Sequence, residues 1–279
     1  MNLLTTRTLR RALFYLLVIA TIAILNFPVY WMFNTSLAPT NQLRAFPPRF
    51  VQADPYWGAY EKVLTERPID VWLKNSAIIA IVSTTISMIA SVLAGYSLSR
   101  IRARGSQAIG VFILTSRMLP STLIVIPLFV MFRRLDLIGD MRSVIVAHAT
   151  FITPFAVWML KGYFDSIPVE LEDAAMIDGC NPLSALVRVV LPISAPGLAA
   201  TALYGFVLSW NDFIFARTFL TVAQNNWTVT IGITTLRGEY LTAWNEIMAA
   251  SLIASVPIML AYLFLERYLV SGLAAGAVK

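Results

Sequence analysis

Apolar residues in this chain collect into six long runs, at 12–33, 76–98, 108–132, 143–163, 196–220 and 244–265, joined by polar links. A bilayer core about 30 Å thick is crossed by roughly 20 helical residues rising 1.5 Å each. Every run is near that length, so the pattern predicts an all-α, polytopic membrane protein: one domain, 1–279, with six transmembrane helices. Each run also carries small or polar residues, which suits helices packed in a bundle. The first run follows Arg7, Arg10 and Arg11, as a secretory signal would. It continues past Pro28 to Phe33 with no convincing small-x-small site after it, so an uncleaved first helix is expected.

Composition agrees with the pattern. The 279 residues are 58% hydrophobic and 13% charged, against about 25% charged in soluble domains. Mean hydropathy is +0.73. A disordered chain is ruled out, and an ordinary soluble enzyme fits poorly. The net charge of +6 does not gather into one basic patch, so no nucleic-acid partner is expected. Arginines instead set the orientation. The N-terminal tail and the link with Arg100, Arg102 and Arg104 are basic and free of acid, which predicts both termini in the cytoplasm. Arg133, Arg134 and Arg142 fall outside in that scheme and speak against it. The outer loops are then 34–75 and 221–243, and the long inner link is 164–195.

Cys180 and His148 are the only residues of their types, which excludes an intrachain disulfide, a thiolate cluster and a two-histidine metal motif. No G-x-x-x-x-G-K-[ST] loop and no G-x-S-x-G elbow occurs. No catalytic residue, metal site or cofactor is therefore assigned to this chain, and ATP-driven work would need a separate subunit.

The inner link has its own pattern. Pro168 suits a first helical turn, and Glu170, Glu172 and Asp173 follow where the helix dipole favours acid. Leu171, Ala174 and Ala175 share a face. Gly179 can end the helix, and Asn181-Pro182 reads as the start of another. Two short helices joined by a glycine turn are predicted. They either pack on their own bundle or seat in a groove of a cytoplasmic partner.

These residues resemble the Glu-Ala-Ala motif of permease subunits in bacterial ABC importers. The motif is matched by Glu172, Asp173, Ala174, Ala175, Asp178 and Gly179, then Val189-Val190-Leu191-Pro192. Asp173 stands for the family's first Ala and Val189 for Ile. The chain is most similar to the shorter, maltose-permease-like partner of a carbohydrate permease pair. NTSLAP, RMLPS, FDSIPVELEDAAMIDG, LPISAPGLAATA, SWNDF and RYLVSGLAAGAVK carry that similarity in order along the chain. The resemblance implies the type I ABC importer permease fold in a bacterial cytoplasmic (inner) membrane. It implies a second, homologous permease chain, a solute-binding protein outside, and two ATPase subunits that bind the ATP and Mg. It implies that 164–195 forms coupling helices on an ATPase, that the tail 271–279 reaches the ATPase interface, and that the solute is a sugar or sugar derivative.

Charges and amides inside the runs are candidates for a solute path, because burying them in a bilayer is costly. Arg117 lies near mid-span and is followed by Pro120. Trp210, Asn211 and Asp212 lie in the fifth run, Asn245 and Glu246 at the start of the sixth. Amides and carboxylates bind sugar hydroxyls, and Trp210 could stack on a sugar ring. Equally, Arg117 and Asp212 could neutralise each other. His148 is expected to be a helix-contact residue. Rival functions are an ABC permease for a non-sugar solute, such as a phosphodiester or peptide, and a self-contained ion-coupled carrier. An intramembrane enzyme is disfavoured by the missing motifs.

Overall fold

The computed structural model describes residues 3–43, 45–101, 105–238 and 242–276. Arg102, Arg104, residues 239–241 of the second outer loop and 277–279 of the tail lie outside the described residues. In chain order the helices are α1 (Leu3–Ser36), α2 (Gly58–Thr65), α3 (Ile69–Arg100), α4 (Ser106–Thr115), α5 (Ser121–Arg134), α6 (Met141–Asp165), α7 (Glu170–Ile177), α8 (Pro182–Ala185), α9 (Leu191–Ile193), α10 (Ala195–Trp210), α11 (Ile214–Leu220), α12 (Val229–Thr235) and α13 (Trp244–Gly276). A 3-10 turn follows α4 at Ser116–Met118, and a π-helical turn joins α8 to α9 at Leu186–Val190.

Among the described residues, four helical stretches are long and apolar enough to cross a bilayer alone: Thr8–Ser36, Ile69–Arg100, Met141–Asp165 and Trp244–Tyr268. Two bent pairs bring the number up to six if each counts as one span. They are Ala108–Met118 with Ser121–Arg134, bent by 93°, and Pro182–Ile193 with Ala195–Trp210, bent by 82°. The first bend has a local cause. Leu119 is extended, at φ −71° and ψ 123°, as a residue before proline prefers, and Pro120 has no N–H to continue the ladder.

Two differences from the sequence expectation stand out. The second helix starts at Ile69 rather than near 76, because Lys74 and Asn75 interrupt the apolar run but not the backbone ladder. The run 196–220 is not one helix. It breaks at 211–213, where Asp212 accepts bonds from the amides of Phe215 (3.4 Å) and Ala216 (2.9 Å) at the start of α11.

The chain forms two compact units. One holds residues up to Pro68 together with Ile233–Ile253. In it, Leu9, Leu13, Ile19 and Leu25 of α1 are each more than half exposed, an apolar surface that suits lipid rather than water. After α1 the loop 37–57 and helix α2 fold on the end of that helix. Asn34 donates to the Arg49 carbonyl (2.8 Å), Ser36 pairs with the Tyr60 hydroxyl (2.8 Å), and Ala59 and Val63 of α2 are buried. Asn245 donates to the Ala38 carbonyl (3.1 Å), while Glu246 lies 3.8 Å from Lys62 and 3.5 Å from Arg67.

The other unit holds Ile69–Gly232 and the chain from Ala254. Its spine is the contact of α3 with α6. Ser83, Ser87 and Ser91 recur every fourth residue on α3 and are fully buried. Ser87 donates to the Ala149 carbonyl (3.2 Å) and Ser91 to the Thr153 carbonyl (3.3 Å). One turn on, a Cβ added to Gly95 would lie 3.2 Å from the Val157 carbonyl oxygen. Small side chains let the backbones approach, as membrane helix pairs require. Helix α10 covers both, with Gly205 against Thr84 and Ile152, and Gly197 against the Tyr163 ring.

Candidate functional site

The inner link forms the knuckle its residues predict. Helix α7 carries Glu170, Glu172 and Asp173 in its first turn. Gly179 has φ +93°, a left-handed conformation that side chains other than glycine's resist. Its N–H bonds the Met176 carbonyl (3.1 Å), and Cys180 N–H bonds that of Ala175 (3.0 Å). Asn181 then caps α8 through Ser184 N–H (2.8 Å), with Pro182 in the first turn.

The knuckle has two different sides. On one, Leu186 and Val190 join Leu160, Phe164 and Ile167 in a buried cluster, with Met88, Val92, Tyr96 and Leu198 packed against it. On the other, Glu170, Asp173, Ala174, Ile177, Asp178 and Gly179 are exposed, Ile177 at 87%. Ala175 is half-buried.

Glu172 belongs to the inner side. It is 3% exposed, so this motif acid is an internal anchor and not part of the exposed face. Tyr96 donates to one of its carboxylate oxygens (2.6 Å), and Arg100 Nε and Nη2 both reach the other (2.6 Å each). Arg100 also donates to the Ile167 carbonyl (3.2 Å) and to Ser99 Oγ (3.0 Å). Ser99 in turn donates to Asp165 (2.6 Å), which Lys161 pairs from the other side (2.6 Å). The last turns of α3 and α6 are thus tied to α7 by one charged chain. Removing one partner of such a buried pair typically costs about 3–5 kcal/mol. Tyr96, Ser99, Lys161 and Asp165 were not singled out by sequence. The available signal is the spacing of Tyr96 and Arg100, one turn apart on one face.

Within the membrane the expected pairing is replaced by two others. Arg117 does not meet Asp212. Its guanidinium lies over the rings of Phe155 (5.6 Å) and Tyr204 (5.3 Å) and bonds the Tyr204 hydroxyl. Among the described residues no carboxylate pairs with it. Asp212 is committed to capping α11 and to His148, whose Nε2 lies 3.2 Å away. The other imidazole nitrogen lies 2.6 Å from Ser209 Oγ, which accepts from Ser83 (3.1 Å). Trp210 is 3% exposed and stacked on Phe206 at 5.5 Å, so its face is not free to receive a sugar. Asn211 is exposed, with its amide on the Val207 carbonyl (3.0 Å). Asn245 and Glu246 belong to the first unit and bind there.

The start of the loop 221–243, expected outside, is tied down. Asn75 donates to the carbonyls of Asn225 (2.8 Å) and Trp227 (3.0 Å), and Asn226 donates to that of Gly139 (2.7 Å).

Comparison with known proteins places this geometry. Residues 86–274 match the family described as "Binding-protein-dependent transport system inner membrane component". The chain is 34% identical over 275 residues to the inner membrane ABC transporter permease protein YcjP of Escherichia coli K12, covering 98% of each. It is 34% identical to the trehalose/maltose transport system permease protein MalG of Thermococcus litoralis, covering 97% of this chain and 98% of that one. It is 32% identical to the sulfoquinovosyl glycerol transport system permease protein SmoH of Agrobacterium fabrum, covering 93% and 92%. A solved chain of a bacterial ABC transporter that imports the acidic polysaccharide alginate has the same fold. Its TM-score is 0.79 at 20% identity, covering 94% of this chain and 97% of that one. The chain therefore belongs to the binding-protein-dependent inner membrane component family, the membrane-spanning permease subunits of ABC importers.

Proposed function

We propose that this subunit takes up a sugar or sugar derivative delivered by an external binding protein, with both of its own termini in the cytoplasm. A second homologous permease completes the path, and two ATPase subunits, which hold the ATP and Mg, drive alternating access. The observation that carries the docking part is the exposed face of α7. Ile177 projects at its tip, rimmed by Glu170, Asp173 and Asp178, on a knuckle whose opposite side is anchored. An apolar tip with an acidic rim suits a groove of opposite charge on an ATPase. The sugar class is supported by the relatives named for trehalose/maltose and for sulfoquinovosyl glycerol.

The test is a mild pull-down of the chain from its native membrane, repeated with Ile177→Asp and Gly179→Asp. Recovery of a second permease and an ATPase, with the ATPase lost in the variants, is expected. A chain that comes down alone yet supports uptake would refute the docking. Uptake that survives ATP depletion but collapses with the ion gradient would favour the carrier.

A narrower reading of the solute rests on Arg117. A guanidinium has five N–H donors arranged to grip a carboxylate or sulfonate. Among the described residues the bond to Tyr204 is its one hydrogen bond, beside an aromatic wall. An acidic sugar would supply the missing partner. Arg117→Gln should then reduce uptake of acidic sugars more than of neutral ones, and equal loss of both rejects the acid preference.

A further inference from the structure

Glu172 is the one residue of α7 that is buried, and its bonds run to the end of a membrane helix rather than outward. Tyr96 and Arg100 stand one turn apart on α3 and grip its two oxygens. Through Ser99 the chain of bonds continues to Asp165 and Lys161 at the end of α6. Beside the grip is a cavity of about 280 Å³, lined in part by Tyr96, Arg100, Glu172, Met176 and Pro182. That flank of α7 is therefore not filled by packed side chains. Apolar contacts are non-directional and resist sliding weakly, whereas hydrogen-bonded ions fix direction and distance. A displacement of α7 has one stiff route into the membrane on this flank.

From this geometry we propose that Tyr96 and Arg100 are positioning residues for transport, making Glu172 the joint that passes motion of α7 to α3 and α6. The inference rests on the docking of α7 against an ATPase and adds where the force goes next. Loss of the joint should leave docking and hydrolysis in place while the membrane helices cease to respond.

The experiment uses the whole transporter in lipid vesicles, with Cys180→Ser as background and Asn211→Cys as a reporter at the break between α10 and α11. The probes are MgATP with vanadate and a membrane-impermeant maleimide. In the otherwise unaltered protein, maleimide reaction should change on nucleotide trapping. Glu172→Gln and Tyr96→Phe should retain the ATPase and its hydrolysis, while the nucleotide-dependent change falls by about fivefold or more. Tyr96→Phe removes one hydroxyl and keeps the ring against Phe164, so it remains informative if Glu172→Gln folds poorly. The exchanged pair Arg100→Glu with Glu172→Arg should recover part of the response that each single change loses. An undiminished response in both Glu172→Gln and Tyr96→Phe overturns the proposal. So does loss of docking, hydrolysis and response together in Tyr96→Phe. An unaltered transporter without a bound ATPase refutes the docking itself and this inference with it, whereas one that holds the ATPase yet shows no nucleotide response at the reporter overturns this inference alone.

Discussion

His148 and Asp212 meet at the break in the fifth apolar run, with the imidazole Nε2 3.2 Å from a carboxylate oxygen. The contact lies off the hydrogen-bond axis, since Nε2 makes no bond of good geometry among the described residues. The firm bond is on the other side, to Ser209 at 2.6 Å. His148 therefore links α6 to the end of α10 and places a partial charge beside the cap of α11. His148→Ala leaves the buried Ser209 hydroxyl with its bond from Ser83 but without its ring partner, and should destabilise the protein by about 1–3 kcal/mol. A lowered thermal unfolding midpoint in detergent is the expected result, with His148→Gln intermediate. An unchanged midpoint for His148→Ala would show that the link contributes nothing.

Two glycines near the contact of α6 with α10 should respond in opposite directions. A Cβ on Gly197 would stand 2.4 Å from the Tyr163 ring, so Gly197→Ala must push α10 from α6. Overpacking of this kind costs about 1–3 kcal/mol. A Cβ on Gly162 meets nothing within 4 Å. Gly162→Ala should add about 0.5–1 kcal/mol by stiffening the helix. Unfolding midpoints measured side by side decide it, and a shift in the same direction for both contradicts the packing described.

At Gly179 the space is open but the backbone is not, since φ is +93° and no atom lies within 4 Å of an added Cβ. Any defect in Gly179→Ala is then backbone strain, on the order of 1–2 kcal/mol. Asparagine visits this conformation more readily than alanine. Gly179→Asn should keep more of the ATPase in a pull-down than Gly179→Ala. The reverse order would mean that the turn does not set the knuckle.

Asp140 caps α6, accepting from Arg142 N–H (2.8 Å) and from its guanidinium (2.9 Å). The guanidinium bond, then the backbone bond, holds this carboxyl below the usual range. A carboxylate with a depressed folded pKa contributes stability above its unfolded value, near pH 3.9. That contribution disappears as pH falls through the folded value. Asp140→Asn should thus lower the unfolding midpoint slightly at pH 7 and 5, and the gap to the unaltered protein should close below about pH 4. The side chain is 36% exposed, so solvent screening keeps the effect small. A gap that widens on acidification has the wrong sign for this account.

The apolar runs were legible because length and hydropathy are local properties. Gly179 marked the turn of the knuckle for the same reason, whereas the 93° bend at Pro120 lies inside a run whose apolar pattern is continuous. The break at 211–213 coincides with Asn211 and Asp212, polar residues that can cap a helix, but apolar residues on both sides carry the run past them, and the capping bonds of Asp212 exist only in the fold. The direction of Glu172 could not be read from its own helix, where it shares the first turn with two exposed acids. Its partner Arg100 lies 72 residues upstream, and the pairing exists only once α3 and the knuckle have met. Arg117 and Asp212 have opposite charges in the third and fifth runs, which invited a pair. Arg117 instead meets Tyr204, which the sequence does not flag, and Asp212 meets His148, expected from sequence only as a helix-contact residue.

The serine seam also counts crossings. Ser87 reaches Ala149 and Ser91 reaches Thr153, both 62 residues on, and Gly95 faces Val157 in the same step. Rising numbers on α3 meet rising numbers on α6, so the two helices run parallel. Parallel neighbours that both traverse a bilayer need a connection that returns to the starting side. Among the described residues, the helices between them are α4 and α5 with the short 3-10 turn joining them, bent by 93° to each other. At 1.5 Å per residue the 14 residues of α5 rise only about 21 Å. Too short to span alone, and unrecognisable as a span by helix length, the bent pair must still make the return journey, and direction alone turns it into a crossing.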